Sequence, residues 1–238
     1  MASRPQSIFK PDDLSDVQIG HCAIELLGKF ASSRKLTIAP PIPIEDILEK
    51  HLKLTLETQD MEKLLGEPGI LGAAWIDLNL VRVDASLMDT SQGRYYFTLA
   101  HEIGHWQLHR PKIVVDREMP TLFDRKAAAV QPPTFICRST ANTPMEKKTE
   151  RQADKFAANL LMPVHLMRET FSRLFPEGLR PPDELCREGM KDQRKVWLLE
   201  PAKEMIDRGG FSNCSREAMR NRIEDLKLVD FSASGTLF

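Results

Sequence analysis

The stretch "FTLAHEIGHWQLHR", Phe97–Arg110, places His101, His105 and His109 at intervals of four, with Glu102 between the first two. Residues four apart on an α-helix lie about 40° and one turn from each other, so His101 and His105 point the same way. Two imidazoles held like this can chelate one Zn²⁺ at about 2.0–2.1 Å each. Glu102 projects beside such an ion rather than at it, where it can take a proton from an activated water. Surface helices sometimes carry His-Glu-x-x-His by chance. Here Ala100, Ile103, Gly104 and Leu108 surround the histidines, which does not suit a solvated face. Gly104 costs the helix about 1 kcal/mol relative to Ala, so close packing against its backbone is expected. His109 sits about 12 Å along the axis from His101, too far to share its ion. It reads as a partly charged helix-end imidazole facing the negative end of the dipole.

A catalytic zinc takes a third protein ligand and keeps one open position. The best candidate lies in "TPMEKKTERQADKFAANLLMP", residues 143–163. Thr143 is expected as N-cap, Pro144 as first helical residue, Glu146 as capping-box partner, and Pro163 as the stop. The apolar stripe of this helix is Ala153, Phe156, Ala157, Leu160 and Leu161, and Glu150 extends it backwards. A carboxylate on a buried row is costly unless it is paired or bound to a metal. Glu150 as third ligand, with Asp154 bonded to the far nitrogen of His101, is the expected arrangement. The alternative pairs Glu150 with Lys147 and leaves Asp154 in solvent.

Outward from these two helices, Ile19, Cys22, Ala23, Leu26, Leu27 and Phe30 form a helical stripe over 15–31. "PIPIEDILEKHL" predicts a proline-started helix ending near Leu52, and "LKLTLE" a short strand. "ILGAAWIDLNLVRVDASL" predicts two strands around a turn at Asp77–Asn79. The histidine helix is expected from Thr90 or Ser91 to Arg110, because Pro111 follows. Residues 111–143 read as a long irregular loop or lid. Helices are expected again around "HLMRETFSRLF" and "SREAMRNRIEDLKLV", separated by the loop "PEGLRPPDE". The class is therefore α+β, with a small sheet.

The chain has 238 residues, 28% of them charged, and a net charge of −1. That balance offers no global attraction to nucleic acid or anionic membrane. The start, "MASRPQSIFKPDD", lacks an apolar core of signal-peptide length, and no apolar run approaches a membrane span. Cys22, Cys137, Cys186 and Cys214 are scattered, which suits reduced thiols and a cytoplasmic location.

"FTLAHEIGHWQLH" together with "ERQADKFAANLLMP" resembles the ImmA/IrrE family of bacterial and phage metallopeptidases, over roughly residues 40–165. The resemblance implies a zincin-like fold with His101, His105 and Glu150 as ligands of zinc (Mn²⁺ being an alternative ion) and Glu102 as general base. It also implies a protein substrate, a helix-turn-helix repressor of the Xre type, whose loss switches on mobile-element or stress-response genes. No such domain precedes the motif here, so a separate repressor is the expected partner. The longer span from His105 to Glu150, residues 106–149, departs from the family pattern. The organisation expected is an N-terminal helical segment (1–39), a metallopeptidase domain (40–180) and a C-terminal helical section similar to a helix-turn-helix (181–238).

That last section supplies a rival function. Arg216, Arg220 and Arg222 share its final helix, yet basic and acidic residues balance between Pro201 and Asp230. A zero net charge suits partner docking better than phosphate binding. The alternatives to an endopeptidase are a DNA-binding or repressor-binding regulator, and a sensor whose metal occupancy alters partner binding. A base beside an open coordination position, Glu102, serves neither. Tyr95, Tyr96 and His165 are candidates by residue type for oxyanion stabiliser. The oligomeric state is not legible.

Overall fold

The computed structural model describes residues 11–112, 132–138 and 144–232. It is a mixed α+β chain that divides into two compact units, residues 1–37 with 43–160, and residues 38–42 with 161–238.

The first unit opens with α1 (Asp16–Arg34). Ser15 caps it: the hydroxyl accepts from the Gln18 N–H, and the Gln18 side chain accepts from the Ser15 N–H, a complete capping box. Ile19, Ala23, Leu26, Leu27 and Phe30 are buried as the stripe predicts, while Cys22 is only half-buried. Of the proline-started helix, residues Asp46–His51 are wound as a π-helix.

Four strands follow: β1 (Thr55–Gln59), β2 (Ile70–Trp75), β3 (Leu80–Asp84) and β4 (Phe135–Arg138). Their order is β1-β3-β2-β4, with β1 parallel to β3 and the other pairs antiparallel. The β2–β3 connection is the turn expected at Asp77–Asn79, and Asn79 adopts the left-handed conformation at φ 49° that asparagine tolerates. β4 corrects the reading of 111–143 as irregular throughout. "FICR" pairs with β2 through Ala74↔Phe135, Ala73↔Ile136 and Gly72↔Cys137. The lid expected for the rest of that segment, and the N-cap at Thr143, lie outside the described residues.

Strand alternation gives the sheet two faces. Ile70, Ala73, Trp75 and Leu80 pack with Met61 of α2 (Met61–Leu65) and with Ile136. Gly72 is on the opposite face, against Thr98 and Glu102 of α4 (Gln92–Leu108), the histidine helix. Before it comes the short α3 (Ser86–Thr90), and Ser91 caps α4 by accepting from the Arg94 N–H. α5 (Pro144–Leu161) buries the predicted stripe from Ala153 to Leu161.

The second unit is helical: α6 (Val164–Leu174), α7 (Lys191–Trp197), α8 (Leu199–Asp207) and α9 (Arg216–Asp225). Within it Asn213 donates to the Ile42 carbonyl, and Arg222 is buried and donates to the Met162 carbonyl at 3.0 Å. Burial pulls the Arg222 pKa down to about 10. Among the described residues no helix is long and apolar enough to cross a membrane.

Candidate metal centre

The site is set by one close crossing. A Cβ added to Gly104 would meet the Ala153 backbone at 3.1 and 3.2 Å and the Phe156 Cβ at 3.2 Å. The missing side chain therefore lets α4 and α5 approach closely, as the helix-weakening glycine led us to expect. Beside this crossing His101, His105 and Glu150 meet. The two Nε2 atoms are 3.0 Å apart, and Glu150 places Oε2 at 3.1 Å from His101 Nε2 and Oε1 at 3.2 Å from His105 Nε2. Asp154 Oδ1 lies 2.9 Å from His101 Nδ1, although its carboxylate is otherwise well exposed.

His109 overturns its expectation. It is buried, and burial pulls its pKa down, so it is a neutral ring rather than a charged helix end. Gln152 donates Nε2–H to the Asp12 carbonyl at 2.8 Å, which turns its Oε1 toward His109 Nε2 at 3.0 Å. His109 must therefore carry its proton on Nε2 and accept on Nδ1, where His105 Nδ1 stands at 2.9 Å. His105 then donates from Nδ1, and its Nε2 lone pair is left facing Glu150 and His101. Burial pulls His105 down to about 4, which keeps that lone pair free.

The electrostatics call for a cation at the centre of this group. Burial opposes charge on His101, yet the Cys137 sulfur and the Asp154 and Glu150 carboxylates hold its pKa well above the usual range. Burial would raise Glu150, but the imidazoles of His101 and His105 against its two oxygens outweigh it and hold the carboxyl at about 2. A proton on His101 supplies one positive charge; a divalent ion would supply two and engage all three donors. Donors on a tetrahedral ion at 2.0–2.1 Å lie about 3.4 Å apart, close to the separations seen here. The donor set fits such an ion.

Glu102 is different in kind. It is fully buried, and neither carboxylate oxygen has a hydrogen-bond partner among the described residues. Burial pushes its pKa up to about 8, with Glu150 adding to the rise and His101 opposing it. A Cβ on Gly72 would come within 3.1 Å of its Oε1. The bare strand backbone thus makes room for the carboxylate.

Two residues escaped the sequence reading because both sit on β4. Phe135 stacks on His105 with centroids 4.5 Å apart and planes 12° from parallel. The Cys137 sulfur lies within 4.8 Å of donor atoms of His101 and Glu150. The only available signal was the β-prone run Phe135–Cys137 after two prolines, too short for a period. Of the oxyanion candidates, Tyr95 has its hydroxyl committed to Glu45 Oε1 at 2.8 Å, and His165 is exposed at the start of α6.

Residues 87–177 match the family model described as Peptidase_M78, IrrE N-terminal-like domain. No curated protein matches the chain. The match takes in α4 and α5, hence every residue of the convergent group, and over these residues the chain is similar to the IrrE-like peptidase family.

Proposed function

We propose that the chain is a zinc-dependent endopeptidase of zincin-like architecture, held by His101, His105 and Glu150 as metal ligands with Glu102 as general base. The observation that carries this reading is the buried Glu102 carboxylate, unpartnered among the described residues, beside two imidazoles and a carboxylate that converge on one point. A bound divalent ion supplies Lewis acidity and makes a water acidic. The chain supplies the rest. Asp154 and the His109–Gln152 pair fix the two ligand rings with their lone pairs inward. Glu102, raised toward neutrality by burial, is suited to take a proton from water and return it to the leaving amine. Among the described residues no hydrogen-bond donor reaches it to lower its basicity.

The substrate proposed is a separate helix-turn-helix repressor, and cleavage would derepress the genes it silences in the cytoplasm. The test is incubation of the purified chain with a repressor encoded beside its gene, with zinc or with a chelator. Zinc-dependent appearance of two defined fragments supports the reading; cleavage indifferent to chelator, or an intact repressor in both arms, contradicts it.

A further inference from the structure

β4 brings a sulfur to the metal centre that neither the His-Glu-x-x-His pattern nor the general-base scheme uses. The register Gly72↔Cys137 puts Cys137 on the α4 face of the sheet, opposite a residue with no side chain to screen it. Donor atoms of His101, Cys137 and Glu150 all lie within 4.8 Å of one another. Asp154 occupies the Nδ1 side of His101 and Glu150 the Nε2 side, and the Cys137 sulfur lies in the same donor group. On a tetrahedral ion, sulfur at about 2.3 Å and nitrogen at about 2.0–2.1 Å are about 3.6 Å apart, so relative to His101 and Glu150 the sulfur has at most about 1.2 Å to close.

Cys214 is the internal contrast. It is also buried, but its neighbour is Asn213, and burial alone accounts for its raised pKa. A buried cysteine acting as a small hydrophobe looks like Cys214. Cys137, whose sulfur lies within 4.8 Å of donor atoms of His101 and Glu150, does not.

We infer that Cys137 is a fourth, displaceable ligand that holds the metal centre in a closed, latent state. This rests on the metallopeptidase reading above. Three protein ligands and an open position define a catalytic zinc, whereas four protein ligands define a closed one. With sulfur bound as thiolate, its proton released to solvent, the position that water needs is taken. Opening the site returns a proton to the sulfur and admits a water in its place; no electrons are exchanged.

The test uses the full chain loaded with Co²⁺, whose visible bands report a bound ion and whose near-ultraviolet charge-transfer band reports a bound thiolate. Wild type and Cys214→Ala should show both signals. Cys137→Ala should keep the visible bands, lose the charge-transfer band and, loaded with zinc, hydrolyse an unstructured peptide several-fold faster than wild type. Visible bands without charge transfer in the wild type, or charge transfer that survives Cys137→Ala, would overturn the ligand assignment while leaving the peptidase reading intact. A Cys137→Ala chain that keeps its ion yet cleaves no faster overturns the latency. A chain with no visible bands overturns the peptidase reading as well.

Discussion

His109 controls a proton that it does not itself lend to chemistry. Gln152, held by the Asp12 carbonyl, sets the His109 tautomer, and His109 sets that of His105. Gln152→Leu removes the acceptor that starts this chain and should weaken zinc binding about 10–100-fold, with the fold kept. Gln152→Glu retains an acceptor at the same place and should lose much less. Competition titrations against a chromophoric chelator measure both, and equal affinities for Gln152→Leu and wild type would show that the tautomer is set elsewhere. At this scale the shared face of His101 and His105, and the place of Glu150 on the buried row of its own helix, were legible, because a 3.6-residue period fixes which side chains share a face. His109 was misread for the complementary reason. Its environment comes from Gln152 on another helix, and helix spacing within α4 carries no information about that.

Helix approach at Gly104 makes the site three-dimensional. Gly104→Val would drive two methyls into the Ala153 backbone, at a cost of about 1–3 kcal/mol, and push Glu150 off the histidines. We expect a lower unfolding midpoint together with lost metal retention; a variant that loses stability but binds zinc normally would show that the crossing does not position the ligands. The strand end at Asp84 gives a pH signature. Its Oδ2 accepts from the Met61 N–H and its Oδ1 from the Ser86 N–H, each at 3.0 Å. Burial alone would raise its pKa, but hydrogen bonds from Ser86 and Met61 outweigh it, so the folded value lies below the ordinary aspartate value of 3.8. A depressed carboxyl stabilises the fold above its unfolded pKa, and that contribution disappears as pH falls through the folded value. Urea midpoints should therefore fall more steeply below pH ~4 for wild type than for Asp84→Asn. Parallel slopes would contradict this account. The long elements and the β2–β3 turn were readable from stripe, cap and proline signals. β4 was not: four residues contain no usable period, and pairing with β2 defines the strand.

Across the whole chain, the two compact units divide the possible functions. The convergent group lies in the first, while the last helix of the second no longer offers three exposed arginines, since Arg222 is buried against the Met162 carbonyl. Each neutralised phosphate adds about 0.9 to the salt slope of DNA binding, and little basic surface is left to provide it. Arg220→Glu should leave zinc content and peptide hydrolysis unchanged, and DNA binding should be weak and indifferent to sequence. Nanomolar, sequence-selective binding abolished by Arg220→Glu would make the chain a DNA-binding regulator first. The central claim, that a metal held by this group acts with Glu102 to cut a peptide bond, is tested most directly by assaying Glu102→Gln and wild type with zinc content and cleavage read on the same samples. The account predicts equal zinc, near one ion per chain, and a rate reduced by about 10²–10⁴ or more in the variant. Equal rates at equal zinc, or loss of zinc from Glu102→Gln, would contradict it.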